Sequence, residues 1–188
     1  METNGLTWRD YEKMKRLAAD IFRDYDIHSF PIDPFDVCKK MGIRVIPYSS
    51  LGPKTALLFE KIFSQDAFSK FFWDESKFVV FYNDQAPNVR IRFSISHEIK
   101  HYVNGDFVKE KTDVKDEKAA DYFASYFLAP TPICYLIGVR DVYDIMDFFH
   151  VSEPCASRRI YELRNWINRF KEGKLEDYEK QIMKQFAI

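Results

Sequence analysis

The sequence of 188 residues is long enough for one domain of ordinary size, or for one domain with a small appendage. Its net charge of −1 and pI of about 6.4 argue against nonspecific nucleic-acid binding, because proteins that bind nucleic acid on their own are usually basic. Apolar residues make up 46% of the chain and aromatic residues 17%, which predicts a sizeable packed core.

Cysteine usage and hydropathy indicate the compartment. The three cysteines are odd in number, far apart and outside any C-x-x-C pattern, which favours a reducing environment. The polar N-terminus does not resemble a signal peptide, and no apolar run approaches the length of about 18 residues that a membrane helix needs. We therefore expect a cytoplasmic protein with no membrane segment.

The first elements are predicted from capping residues and periodicity. An amphipathic helix is expected over 7–26, with Thr7 as its N-cap and Asp10 as the acid of a capping box. A short second helix should begin after Asp33, which is a good N-cap and precedes a proline. A strand over 43–46 is predicted to follow it.

The middle of the chain is predicted to contain a β-hairpin. The segment 55–63 fits either a helix or a strand, and we favour a helix. The hairpin strands are expected over 67–73 and 77–82, joined by a polar turn. An edge strand of this hairpin could pair with an extended peptide by β-augmentation, and the alternative is that the hairpin only fills the core.

The next segment contains the pattern H-E-x-x-H, formed by His97, Glu98 and His101. On an α-helix, residues four apart project from one face, so the two imidazoles can bind a single Zn²⁺. The glutamate beside the first histidine can then act as a general base towards water. The pattern therefore predicts a zinc site with hydrolytic chemistry.

The third ligand is not the histidine of the metzincin pattern. Phe107 stands six residues after His101, where that pattern requires a histidine, and Asn104 stands where it requires a glycine. Gly105 is expected to end the helix by adopting the left-handed cap conformation. The metzincin subclass is therefore excluded.

Acidic residues of the following helix, predicted over 113–129, are candidates for the third ligand. Asp116 and Glu117 both fall within its apolar face and Asp121 on its edge, where carboxylates are costly unless paired or ligated. The helical angle does not decide between Asp116 and Glu117. The pattern E-x-x-A-D favours Glu117 as the ligand, with Asp121 one turn later as a hydrogen-bond acceptor that orients a liganding histidine.

The C-terminal part has two interpretations. The segment 141–170 has a helix-turn-helix pattern with four arginines, and it could either read DNA or serve for packing and partner docking. The charge balance of the chain favours the second interpretation. A stripe of apolar residues in the tail should dock on the body or on a partner; it comprises Leu175, Tyr178, Ile182 and Phe186.

Two motifs resemble the ImmA/IrrE family of metalloendopeptidases: F-S-I-S-H-E-I-K-H over 93–101 and E-x-x-A-D-x-F-A over 117–124. The similarity extends from about Thr7 to Leu163. It implies a gluzincin-like fold in which His97, His101 and Glu117 hold zinc and Glu98 is the catalytic acid and base. Lys100 stands where the family usually has glycine, and we expect its side chain to reach solvent.

The resemblance also implies a function, namely cleavage of a helix-turn-helix transcriptional repressor of the phage or mobile-element type. Two alternatives remain: a non-catalytic zinc protein that sequesters the repressor, and a DNA-binding regulator that uses residues 141–170. The fold class expected is α+β, with a mainly helical zincin-like domain over 1–130, a small sheet before the H-E-x-x-H helix, and a C-terminal helix-turn-helix-like subdomain over 131–188.

Overall fold

The computed structural model describes residues 5–108 and 113–186. These residues form nine α-helices and three β-strands, so the α+β class is as predicted, whereas the helix-turn-helix character of the C-terminal part stays a prediction. The helices are α1 (Trp8–Asp24), α2 (Pro34–Lys40), α3 (Pro53–Ile62), α4 (Asn88–Val103), α5 (Val114–Leu128), α6 (Thr131–Leu136), α7 (Val142–Phe149), α8 (Glu153–Lys171) and α9 (Asp177–Gln185). The strands are β1 (Arg44–Pro47), β2 (Ala67–Phe72) and β3 (Lys77–Tyr82).

The capping residues begin the first two helices as predicted. Thr7 and Asp10 form a capping box, in which the Asp10 carboxylate accepts a hydrogen bond from the Thr7 backbone N–H at 2.7 Å. The Asp33 carboxylate accepts from the backbone N–H of Phe35 at 2.9 Å and so caps α2. Each cap satisfies a backbone donor that has no partner within the helix.

The three strands form one sheet in the order β1-β3-β2. The predicted hairpin is confirmed, because β2 pairs antiparallel with β3 and places Ser69 opposite Val80. On its other side β3 pairs in parallel with β1, with Val45 opposite the same Val80. Within the described sheet β2 therefore has one edge that no other strand covers, and β3 lies in the centre.

The described residues divide into two compact units. One unit spans 33–120 and contains the sheet with α2, α3, α4 and the start of α5, while the rest of the described chain forms the other. The predicted boundary between residues 130 and 131 stays a prediction. Across the described ranges, no helix is both long and apolar enough to cross a membrane.

In the unit that spans 33–120, the sheet packs against helices. Helix α4 contacts β2 and β3, and its Ile95 and Ile99 are fully buried. A separate cluster of Tyr48, Val79 and Phe81 is covered by apolar side chains from α3 and β2. The H-E-x-x-H helix is thus supported directly by the hairpin that precedes it.

In the other unit, the last helix packs on the first. The Tyr178 hydroxyl of α9 donates to the Glu12 carboxylate of α1 at 2.8 Å, and Ile182 is fully buried. The side chain of Gln185 donates to two backbone oxygens, those of Phe22 and Ile27. The apolar stripe of the tail was predicted to dock on the body or on a partner, and the structure shows that it docks on the body.

Candidate metal centre

Helix α4 brings the two histidines of the motif together. One helical turn separates His97 from His101, and their Nε2 atoms lie 3.1 Å apart. The helix carries no proline or glycine between them, so its regular geometry sets this distance. Two ring nitrogens therefore face the same point beside α4.

Glu117, in the first turns of α5, completes a triangle with these nitrogens. Its Oε2 lies 3.2 Å from His97 Nε2, and its Oε1 lies 3.6 Å from His101 Nε2. Ligands about 2.0–2.1 Å from a tetrahedral zinc ion stand about 3.3–3.4 Å from one another. All three separations lie near this value, and the two that involve Glu117 end on different oxygens of its carboxylate. Among the described residues, these three side chains form a group that could hold a metal ion.

Asp116, the other acid that the sequence left open, has different surroundings. Its backbone N–H donates to the Asp113 carboxylate at 2.7 Å, and its own carboxylate accepts from the Asp113 N–H at 3.5 Å. One carboxylate oxygen of Asp116 lies 4.0 Å from Lys100 Nζ. Asp113 and Asp116 thus bind each other reciprocally at the start of α5, while Glu117, one residue later, joins the histidines.

The exposure of the three candidate ligands is uneven. The side chain of His101 is 7% exposed and that of His97 is 16% exposed, whereas that of Glu117 is 46% exposed. Structural zinc sites are closed by four protein ligands, and catalytic sites use three and keep one position open. Three protein groups with one accessible side fit the catalytic type.

Asp106 fixes the orientation of His101. Its Oδ2 lies 2.9 Å from His101 Nδ1, and the Asp106 side chain is 1% exposed. Since a carboxylate can only accept, Nδ1 carries the proton and the lone pair of Nε2 is left for a metal. Sequence reasoning missed this residue, and an acid just after a helix-ending glycine is too common to mark it.

The turn that follows α4 places Asp106. Helix α4 ends at Val103, and Gly105 has a φ of 68°, the left-handed conformation that was predicted for it. A short 3₁₀ turn then begins at Asp106, whose Oδ1 accepts from the Asn104 side chain at 2.7 Å. The reversal at the glycine folds the carboxylate back towards the last turn of α4.

The expectation that Lys100 reaches solvent is wrong, because its side chain is 1% exposed. Its Nζ donates to Asp106 Oδ2 at 2.6 Å and to the backbone oxygen of Asp116 at 3.2 Å. A buried ammonium is tolerated when a buried carboxylate compensates its charge, and Asp106 does so here.

Glu98, the proposed base, is buried beside His97 with 7% of its surface exposed. Burial raises the pKa of the Tyr48 hydroxyl to about 12, and the negative charge of Glu98 adds to this effect. Burial also raises the pKa of the Cys38 thiol to about 12, with smaller contributions from Asp33 and Glu98. Both neighbours therefore keep their protons near neutral pH and do not compete with Glu98 as bases.

The role of Asp121 stays a prediction. It lies on α5 one turn after Glu117, on the exposed side of the helix. Asp121 was predicted to accept a hydrogen bond from a liganding histidine. The Nδ1 proton of His101 already faces Asp106, so the prediction now applies to His97.

Comparison with known families agrees with this geometry. The family model described as the IrrE N-terminal-like domain, of peptidase family M78, matches residues 38–161. This span includes the whole H-E-x-x-H helix and Glu117. No curated protein sequence matches the chain. The family match covers more than half of the chain and contains every candidate ligand, so the chain belongs to the ImmA/IrrE family of peptidases.

Proposed function

We propose that the protein is a zinc-dependent endopeptidase that cleaves a helix-turn-helix transcriptional repressor. The observation that carries the proposal is the group formed by His97, His101 and Glu117, which could hold a metal ion, next to a buried glutamate at position 98. A site that only stabilises the fold has no use for a base beside its ligands. Membership of a peptidase family supports the same reaction class.

Each side chain of the site has a defined task in peptide hydrolysis. The nitrogens of His97 and His101 and the carboxylate of Glu117 would hold the metal, and Asp106 keeps the proton on the far nitrogen of His101. Zinc, when bound, supplies a Lewis acid for the scissile carbonyl and for water. Glu98 takes a proton from the attacking water and delivers it to the leaving amine.

One edge of β2, with which no other strand among the described residues pairs, supports a peptide as the substrate. A strand edge presents unpaired N–H and C=O groups, and an extended segment can bind by adding one more strand. Strand β2 lies against α4, the helix that carries His97, Glu98 and His101. We therefore propose that an extended segment of the repressor binds along β2 when it is cut. The repressor as the substrate follows from the family resemblance.

The environment of the C-terminal arginines does not favour the alternative of a DNA-binding regulator. Arg159 is fully buried and pairs with Glu162 at 2.8 Å. Arg169 pairs at 2.6 Å with Glu179, which is 1% exposed. Arg159 is therefore out of reach of a phosphate group, and the charge of Arg169 is compensated by a carboxylate within the protein.

The test compares the parent with Glu98→Gln, which keeps the size of the side chain and both histidines. Each is incubated with the helix-turn-helix repressor encoded beside its gene; mass spectrometry measures cleavage and gel filtration measures complex formation. We expect the parent to cut one bond, and the variant to bind the repressor while cutting at least about 10²-fold more slowly. Glu60→Gln, at an exposed position of α3, is the matched control and should behave as the parent.

The opposite result supports sequestration. If the parent and Glu98→Gln relieve repression equally and neither yields a fragment, the enzyme proposal is wrong. The protein would then act by holding the repressor in a complex.

A further inference from the structure

A lysine and an aspartate form a fully enclosed ion pair next to the candidate metal centre. Lys100 Nζ lies 2.6 Å from Asp106 Oδ2, and each side chain is 1% exposed. Burying two opposite charges has a desolvation free energy that their mutual attraction does not always offset. Replacing such a pair by apolar residues of similar volume often leaves the stability of the protein unchanged. The pair therefore calls for an explanation beyond general stability.

The carboxylate of this pair also contacts a candidate ligand. Asp106 Oδ2 accepts from Lys100 Nζ and from His101 Nδ1, while Asp106 Oδ1 accepts from the Asn104 side chain at 2.7 Å. Three donors from three residues converge on one carboxylate. Its plane is fixed, and so is the direction in which it holds the imidazole of His101.

The ammonium makes a second contact, on the other helix of the site. Lys100 Nζ donates to the backbone oxygen of Asp116 at 3.2 Å, and Asp116 directly precedes Glu117. The lysine thus joins the last turns of α4 to the first turn of α5. The Lys100 ammonium therefore contacts the Asp106 carboxylate that binds His101, and also the backbone that directly precedes Glu117.

We propose that Lys100 is a positioning residue of the metal centre: its ammonium holds the Asp106 carboxylate against His101 and the start of α5 in place, and thereby sets the geometry of His101 and Glu117. The inference rests on the proposed metal site. A cation close to a metal site would by itself repel the ion, and the Asp106 carboxylate compensates that charge at 2.6 Å. The contribution of Lys100 to metal binding is therefore to hold Asp106 and the start of α5 in position.

The experiment measures metal binding of the full chain. Lys100→Met keeps most of the length and apolar stem of the side chain and removes the ammonium. Zinc affinity is measured by competition with a chromophoric chelator at a temperature where the metal-free protein is folded, and the visible absorption of the Co²⁺-loaded protein reports the ligand geometry. We expect Lys100→Met to bind zinc about 10–100-fold more weakly, the usual effect of losing a group that orients a ligand, and to give a changed Co²⁺ spectrum.

A matched variant and a double variant keep the inference testable. Lys54→Met makes the same change at an exposed position of α3 and should match the parent in both measurements. Lys100→Met combined with Asp106→Asn leaves no buried charge alone, so it serves as the test protein if the single variant does not fold. It is compared with Asp106→Asn alone, because Asp106 itself orients His101, and zinc affinity equal to that of Asp106→Asn refutes a role of Lys100 beyond that of holding Asp106. Weaker binding with a changed spectrum in a folded variant supports the inference.

Two further results overturn it, and they can be told apart. Parent-like zinc affinity and an unchanged Co²⁺ spectrum in the folded Lys100 variant refute the positioning role alone. A parent protein that binds neither zinc nor Co²⁺ at this site refutes the proposed function, and the inference with it.

Discussion

Asp106 carries the negative charge of the buried ion pair, so Asp106→Ala leaves the Lys100 ammonium without that charge at a position that is 1% exposed. Breaking a buried pair by removing one partner typically costs about 3–5 kcal/mol, because the remaining charge stays desolvated. The change also deprives His101 Nδ1 and the Asn104 side chain of their acceptor. We expect the metal-free variant to lose about 3–5 kcal/mol of unfolding free energy. For a chain of this length, that loss lowers Tm by roughly 6–20 °C.

The assay is urea and thermal unfolding of the metal-free proteins, followed by circular dichroism. Asp36→Ala is the matched control, because Asp36 pairs with Lys40 at 3.5 Å on the surface, and its loss should be within about 0.5 kcal/mol. The double variant Asp106→Ala with Lys100→Met should lose about 1–3 kcal/mol less than the sum of the two single variants. A loss below about 1 kcal/mol for Asp106→Ala, or strict additivity in the double variant, would refute the reasoning.

Three further predictions concern the ligands and the packing of α9. Glu117→Ala should lose most of the zinc that the parent retains, as measured by elemental analysis, whereas Asp116→Ala should keep it; the reverse outcome would make Asp116 the third ligand. Asp121→Ala should weaken zinc binding about 10–100-fold in a metal titration, and a parent-like titration would remove its proposed role. Burial by itself would raise the pKa of Glu12, but the charge and hydrogen bond of Lys15 and the Tyr178 hydroxyl outweigh it and lower that pKa. Ionised Glu12 therefore stabilises the native state above the pKa that the residue has in the unfolded chain, and this stability is lost as the pH falls through the lowered pKa of the folded state. Glu12→Gln should accordingly lose less Tm on acidification than the parent. Equal losses of Tm in the variant and the parent would contradict this.

The candidate ligands could be predicted because their arrangement is mostly local. A spacing of four residues on one helix fixes the distance between His97 and His101. An acid on the apolar face of the next helix has few explanations other than pairing or ligation, which indicated Asp116 or Glu117. The pattern E-x-x-A-D then favoured Glu117.

The support of these ligands could not be predicted. Lysine is rarely buried without a partner, so a lysine within the motif is most simply expected at the surface. The partner of Lys100 becomes visible only when Gly105 reverses the chain and returns Asp106 towards α4. The sequence predicted the reversal, but its direction and the contacts that it makes depend on packing.

The sheet shows the same division between local and distant contacts. The hairpin of β2 and β3 joins neighbouring segments and could be predicted from two segments rich in Phe and Val that are joined by a polar turn. The parallel pairing of β1 with β3 joins segments separated by a helix, and nothing in the periodicity of either strand determines which of them lies in the centre. Among the described residues, that order leaves one edge of β2 without a neighbouring strand, and the proposed mode of substrate binding depends on this edge.

The packing of α9 on α1 also has a consequence for the newly made chain. The hydrogen bond from Gln181 to the backbone oxygen of Ala19 spans 162 positions in the sequence. At typical synthesis rates of about 5–20 residues per second, Ala19 of α1 is translated roughly 8–32 s before Gln181 of α9. The unit that spans 33–120 and holds every candidate ligand has emerged well before then. We therefore expect the candidate metal centre to be complete in the nascent chain while the apolar stripe of α1 still lacks its partner helix.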